Sequence, residues 1–472
     1  MHNDEAEPAA APVNAAPATT DTSIPSVQRR ILTVLLISQV FSGVGLAAGV
    51  TVAALLAQDM LHSTSLAGLP SALLTAGSAL AAVTVGRISQ ARGRRTGLTA
   101  GYLVGALGGG GVIAAATIDS AALLFVSFFL YGAGTAANLQ ARYAGADLAA
   151  PRHRARAVST VLVATTLGGV VGPNLADPAG NLAAALHLPR LAGLFLISSV
   201  AFALAALALL LWLRPDPLLL ARTLPVHPRP ASDIITTTGR HGPGLALGVL
   251  VMIMTQLIMV AVMTMTPVHM LDHGHGGAAS GFVIALHLGA MYLPSPLTGL
   301  LVDRYGATTM AAATGLTLAT AGVLAATAPG DSVILLALAL ALLGVGWNFG
   351  LVSGTAITTD AIPLATRAKT QGVIDLAIAT AGATGGMASG LVVAAAGYPI
   401  LAISGGALAL AILPAVIVTA QSGPRSAWRR KASGHRGSST DPRRRGEPLP
   451  GQSNEVPHVE TSPQAQAAPR AE

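Results

Sequence analysis

The chain has no cysteine among its 472 residues, so disulfides, thiolate metal sites and thiol nucleophiles are excluded. Charge is scarce as well. Asp, Glu, Lys and Arg make up 10% of the residues, against about 25% in a soluble globular protein. Lysine is confined to Lys369 and Lys431, so arginine carries the positive charge. Aromatic residues amount to 4%, few for a site that stacks on sugar rings. Apolar residues fill the gap, at 52% of the chain with a mean hydropathy of +0.63. A formal charge of +7 would suit nucleic acid only on the basic face of a folded domain. Here the basic residues lie in loops and tails between apolar runs, so no nucleic-acid partner is expected.

The apolar runs fall at 31–57, 66–86, 97–118, 121–141, 157–176 and 191–213, then at 244–268, 278–301, 308–328, 332–356, 371–396 and 399–420. Each approaches or exceeds the ~20 residues with which a helix crosses about 30 Å of hydrocarbon. The expected fold is an all-α membrane protein of twelve transmembrane helices in two pseudo-symmetric six-helix bundles, 29–213 and 244–420. Residues 1–28 lack a basic n-region and apolar core, so they read as a disordered cytoplasmic tail rather than a signal peptide. Residues 214–243 read as a cytoplasmic linker, opened by Arg214-Pro215-Asp216-Pro217 and kept irregular by Pro225, Pro228 and Pro230. Residues 421–472 read as a disordered basic tail, in which Trp428 and the cluster Arg429 to Lys431 can rest on anionic lipid or flank the last helix. With both termini cytoplasmic, every lysine and arginine except Arg190 falls inside, as the positive-inside rule demands. The expected location is multi-pass in the inner (plasma) membrane.

An internal repeat organises these runs. Gly299-Leu300-Leu301-Val302-Asp303-Arg304-Tyr305-Gly306 has a counterpart 213 positions upstream, from Gly86 to Gly93 and on through Arg94 and Arg95. Gly86 falls on Gly299, Gly93 on Gly306, and Gln90 stands where Asp303 stands. The same offset carries Asp147 onto Asp360, Arg154 onto Arg367 and Arg156 onto Lys369. A constant offset across separate loops marks a duplication.

The frame Gly-x-x-x-Asp-Arg-x-Gly, the six-plus-six helices and the central linker resemble the major facilitator superfamily over roughly residues 30–420. The resemblance implies a secondary transporter whose loop motifs latch the cytoplasmic side, with Gly86, Gly93, Arg94, Arg95, Gly299, Asp303, Arg304, Gly306, Asp147 and Asp360 as the latch. In that frame the first-half copy has lost its acid to Gln90 and a base to Ala91. Helix five reads Gly168-Gly169-Val170-Val171-Gly172-Pro173, similar to the core of the family's antiporter motif; Gly168, Gly172 and Pro173 carry that likeness. The glycines that follow in the family are replaced by Asn174, Leu175, Ala176 and Asp177, and Ser159 stands for an earlier one. Tyr131-Gly132-Ala133-Gly134 resembles the fourth-helix motif, but the family's intramembrane arginine falls at Phe128, so proton relay through it does not carry over. The family places helices one, four, seven and ten around the cavity, which makes Gln39, Asn138, Gln256, Trp347 and Asn348 the expected substrate contacts.

Within the twelve runs the sole carboxylate, lysine or arginine is Asp375, and His287 is the histidine at mid-depth. An intramembrane ionisable group is a functional candidate by default. Asp375 reads either as a proton carrier, because a low dielectric disfavours a charged carboxylate, or as an interfacial group favoured by a helix N-terminus. His287 reads as a second proton candidate or as a neutral imidazole bonded to a neighbouring helix. Six of the eleven methionines, from Met252 to Met270, sit on helix seven, suiting either adaptable apolar ligands or ordinary packing. His269, Asp272, His273 and His275 form an outer loop whose spacing fits a pH-sensitive surface better than a metal site. No metal or cofactor is expected, and no nucleotide loop, metalloprotease helix or nucleophile motif points to an enzyme. The leading expectation is proton-coupled efflux of small apolar or amphipathic compounds by a monomer in the lipid bilayer. The alternatives are uptake of a metabolite or sugar, and a non-transporting sensor on the same scaffold. Reporters fused after Gly93, Arg240 and Tyr305 should all read cytoplasmic and one near His273 external; a cytoplasmic signal at His273 would contradict the topology.

Overall fold

The computed structural model describes residues 24–61, 69–224 and 241–421, and these are helical without a strand among them. The first half holds α1 (Ile24–Thr51, continued by Ala53–Leu61), α2 (Leu69–Arg92), α3 (Arg94–Ile118), α4 (Ala121–Ala146), α5 (Arg154–Asn174, prolonged by Ala176–Ala185) and α6 (Gly193–Trp212). The second holds α7 (His241–Asp272), α8 (Gly277–Tyr292 and Ser295–Tyr305), α9 (Ala307–Thr327), α10 (Val333–Ala361), α11 (Arg367–Ala396) and α12 (Tyr398–Ala409 and Ile412–Gln421). Eleven of these are long and apolar enough to cross a membrane. The twelfth is α5, which opens on Arg154 and Arg156.

Local chemistry sets the helix ends. α4 and α10 are capped in the same way: Ser120 Oγ accepts from the Leu123 N–H and Ser332 Oγ from the Leu335 N–H, both at 3.4 Å. Gly93 and Gly306 both have φ of +92°, with ψ of 163° and 148°, and link α2 to α3 and α8 to α9. Only glycine occupies that region without strain, which is why the repeat keeps it at both turns.

Three boundaries differ from the sequence reading. α1 starts at Ile24, so residues 24–28 belong to the helix; Pro25 in its first turn lacks an N–H that would have no partner there. The linker contains a two-turn helix, Pro217–Thr223, because Asp216 Oδ1 accepts from the Leu218 and Leu219 N–H groups at 3.0 and 3.1 Å. α7 begins at His241. Residues 1–23, Pro225, Pro228 and Pro230 of the linker, and the tail with Trp428 and its basic neighbours lie outside the described residues.

In the first half, Tyr102, Phe128, Tyr131, Phe195 and Phe202 form a buried aromatic cluster with centroids 5.3–6.0 Å apart. Phe128 packs there against Phe195, so an arginine at that position would be buried in an apolar cluster. The halves approach through two matched crossings. A Cβ on Gly86 of α2 would lie 2.7 Å from the Ala368 carbonyl oxygen and 2.9 Å from Gly372 Cα of α11. A Cβ on Gly299 of α8 would lie 2.2 Å from Ser159 Oγ and 2.9 Å from the Ala155 carbonyl oxygen of α5. Ser159 and Gly372 are themselves 213 positions apart, so the duplication recurs in the contact between halves.

Candidate functional site

The site lies at the arginine-rich end, where each half reaches into the other. Asp303 at the end of α8 accepts from the Ala155 and Arg156 N–H groups at 3.2 and 3.3 Å, capping α5 of the opposite half. The Arg156 guanidinium lies 3.6 Å from the same carboxylate. A carboxylate is favoured there by the partial positive charge of a helix N-terminus. Arg304, the latch residue next to it, is exposed over the Tyr305 ring and makes no ion pair among the described residues.

Gln90 does the matching work in the first half, which corrects its reading as a lost acid. Its Oε1 accepts from the Ala368 and Lys369 N–H groups at 2.8 and 3.4 Å, capping α11. Its Nε2 donates to the Leu364 and Ala365 carbonyls at 3.3 and 2.7 Å. An amide both accepts and donates, so it binds the turn before α11 as well as the helix end; an ionised carboxylate accepts only. The linker braces this corner. Asp216 Oδ2 accepts from the Arg95 N–H at 2.8 Å, and Arg222 donates to the Gln90 carbonyl at 2.9 Å.

The offset of 213 also becomes a reciprocal exchange of charge. Arg367 of the second half faces Asp147 of the first at 3.8 Å, while Arg154 of the first pairs with Asp360 of the second. Arg94, fully buried, donates to Asp147 at 2.8 Å through Nε and also to Gln371 of α11.

The next layer holds what sequence reasoning missed. Arg142 is not a loop residue: α4 continues to Ala146 and buries it completely. Its Nη2 donates to Asp375 Oδ1 at 2.7 Å and to the Tyr143 hydroxyl at 2.8 Å, and its Nε donates to Thr355 Oγ1 at 3.1 Å. The Tyr143 hydroxyl donates to Asp375 Oδ1 at 3.1 Å. Asp375 is therefore not alone; it is 3% exposed and paired across the halves. Its Oδ2 is buried with no hydrogen-bond partner among the described residues. The available signal was the absence of a helix-stopping proline between Ala121 and Pro151, which lets α4 run past position 141.

The remaining candidates separate. Gln39 accepts from Tyr102 at 2.6 Å and donates to Thr165 and the Asn138 carbonyl, while Asn138 donates to Ser42, so both are buried within the first half. Trp347 donates to Gln256 at 2.8 Å and meets Tyr292 edge-on at 5.4 Å. Asn348 donates to the Met291 carbonyl at 2.7 Å and to Ser295 Oγ at 2.6 Å, beside the α8 break at Pro294. His287 is buried with Nδ1 2.7 Å from the Leu340 carbonyl; a carbonyl only accepts, so Nδ1 carries the proton. Met252, Met259 and Met270 are buried in the second-half core. His269 stacks on Tyr398 at 4.4 Å, and His275 lies 2.8 Å from the Gly330 carbonyl. Gly168 packs against α1, where a Cβ would lie 2.2 Å from the Val40 carbonyl. The surroundings of Gly172 and Pro173 lie outside the described residues.

Twelve long helices in two duplicated halves, eleven of them long and apolar enough to cross a membrane, define a two-bundle membrane protein. The profile of the Major Facilitator Superfamily matches residues 35–293 and 248–450. Two Bacillus subtilis proteins, the uncharacterized MFS-type transporters YdeG and YddS, are each 54% identical to this chain. YdeG aligns over 83% of this chain and 92% of its own length, and YddS over 82% and 90%. The riboflavin transporter RfnT of Brucella anthropi is 32% identical over 74% of this chain and 85% of its own. Among solved structures, the human organic anion transporter MFSD10 superposes with a TM-score of 0.65 at 17% identity, covering 82% of this chain and 99% of that one. The proton:xylose symporter XylE does so with a TM-score of 0.64 at 16% identity, covering 83% and 95%. The chain belongs to the major facilitator superfamily and is a multi-pass membrane transporter.

The two motif residues are separable experimentally. In a chain without cysteine, Ser159→Cys places one thiol beneath Gly299, at a fully buried position. Its maleimide labelling should accelerate about tenfold in Asp303→Ala, which removes the acceptor, the scale of losing hydrogen bonds to a charged group. In Arg304→Ala it should stay within about twofold, as for an exposed charge. Unchanged labelling in Asp303→Ala would show that the α8–α5 cap does not hold this end together.

Proposed function

We propose that the protein is a proton-coupled secondary transporter that exports small apolar or amphipathic compounds by alternating access, with Asp375 as the proton carrier. The observation that carries this reading is the buried Arg142–Asp375 pair across the halves, with Asp375 Oδ2 left unpartnered. Oδ2 is where a proton would sit. Protonation removes the countercharge of Arg142 and weakens the bond between α4 and α11. The basic end faces the cytoplasm in this reading, and the caps at Asp303 and Gln90 make it the closed side. Opening there requires the contacts between the halves, Asp147–Arg367, Arg94–Gln371 and Arg154–Asp360, to separate together with Arg142–Asp375. Separating the last is costly while Asp375 is ionised, since breaking a buried pair strands a charge for about 3–5 kcal/mol.

Export is supported by the helix-five likeness to antiporters, in which Gly168 seats α5 closely on α1. The half-buried Gln256, with Trp347 and Tyr292, offers a mixed aromatic and amide surface suited to amphipathic cargo. His287 has its proton committed to Leu340 and fits a packing role better than a relay. A second reading, uptake of a metabolite, is favoured by the likeness to a riboflavin transporter. Everted vesicles given an acid-inside gradient should extrude ethidium from the medium into the lumen, and Asp375→Asn should abolish that flux. Dye flux indifferent to collapse of the gradient would contradict proton coupling, whereas gradient-driven movement of riboflavin in the uptake direction would replace export with the second reading.

A further inference from the structure

Two buried arginines of the first half serve different pairs, and one side chain touches both. Arg94 belongs to the Asp147 latch, and Arg142 to Asp375. Tyr143 of α4, fully buried, places its ring under the Arg142 guanidinium at 4.2 Å and within 5.8 Å of that of Arg94. Its hydroxyl accepts from Arg142 and donates to Asp375. The partners on α11 are also adjacent, since Gln371 and Asp375 are four residues apart and share a face. Arg94 donates to Gln371 and Arg142 to Asp375.

We propose that Tyr143 is the positioning residue that couples the protonation of Asp375 to the latch contact of Arg94 with Gln371 across the halves; this rests on the reading of Asp375 as the proton carrier. With Asp375 ionised, the hydroxyl donates to the carboxylate and holds the ring beneath Arg142, with the Arg94 guanidinium 5.8 Å from the centroid of the same ring. Each guanidinium is attracted to the ring as a cation to an aromatic π-face. When Oδ2 takes a proton, the hydroxyl no longer bonds to an anion and Arg142 loses its counter-ion. The ring and Arg142 are then free to shift together, and the shift reaches Arg94 directly. Among the described residues no other aromatic ring lies over both guanidiniums.

The groups facing Asp375 are Arg142 and Tyr143 from α4 and, further off, Arg94 from α3. Tyr292 of α8 approaches Arg142 rather than Asp375. Thr355 of α10 does not titrate, and Asp360 at the end of α10 is engaged with Arg154. On α11 itself, Arg367 lies two turns nearer the basic end and faces Asp147. Arg87 of α2 is exposed, and the polar residues of α7 near this depth, Thr255 and Gln256, carry no charge.

The test needs no substrate, because the proton is the probe. Exposed Arg92 in the first half and exposed Thr308 in the second become cysteines in an otherwise cysteine-free chain, carry spin labels, and report the separation of the basic ends in nanodiscs across a pH series. The parent pair should lengthen as pH falls, and Asp375→Asn should remove that response. Tyr143→Phe keeps the ring and deletes the hydroxyl that favours the ionised carboxylate. It should move the midpoint about one pH unit upward, the scale of one hydrogen bond to a charged group. Tyr143→Leu, which also deletes the ring, should leave a response that is shallow or absent while the protein stays monodisperse and helical. A Tyr143→Phe titration superimposable on the parent would overturn the inference while leaving Asp375 as the carrier. A parent distance that ignores pH would remove the proton-carrier reading itself, and the inference with it.

Discussion

Burying arginine is the constraint on which the rest depends. Arg94 and Arg142 are wholly enclosed in a chain with little charge to offer. An unpaired ion in a low-dielectric interior costs several kcal/mol even after relaxation, so each must find an acid. Asp147 answers Arg94 from the same half, but Asp375, which answers Arg142, belongs to the other half. Satisfying that charge therefore docks α4 against α11. The two halves are joined by an electrostatic requirement and by the close crossings at Gly86 and Gly299.

The duplication turns one such contact into a symmetric set. Arg154 with Asp360 repeats Arg367 with Asp147, and Asp303 on α5 repeats Gln90 on α11. The symmetry fails at Arg94, whose counterpart by the offset is Ala307, at Arg142, whose counterpart is Thr355, and at Asp375, whose counterpart is Leu162. Arg142 donates to its own counterpart. The asymmetric Arg142–Asp375 pair thus sits beyond a shell of repeated contacts, where a change of charge acts on a contact that has no mirror image. A duplicated scaffold supplies the two-fold set of contacts; the departure from duplication supplies the buried Arg142–Asp375 pair.

The architecture was legible in the sequence because hydrophobic length and charge scarcity are long-range signals, repeated twelve times. The repeat of Gly86 to Gly93 and Gly299 to Gly306 was legible because both turns need glycine at positive φ. Arg142 was not, because hydropathy fades before a helix does: α4 continues through Ala141 to Ala146 with no proline to stop it. Gln90 was misread because the expected acid was treated as the function, whereas capping a helix needs only an acceptor and a side-chain amide supplies one. Asn348 was expected at the cavity because the family places helix ten there; its carbonyl partner at Met291 depends on a break in α8 that no single-residue property announces.

If Asp375 binds and releases the transported proton, the carboxylic acid itself should be visible. Infrared difference spectra of the purified protein, recorded between alkaline and acid pH, report the C=O stretch of a newly protonated buried carboxyl. The account predicts such a band in the parent chain, shifted when Tyr143→Phe removes a hydrogen bond and missing in Asp375→Asn. A band that survives unchanged in Asp375→Asn would place the proton elsewhere and contradict the central claim.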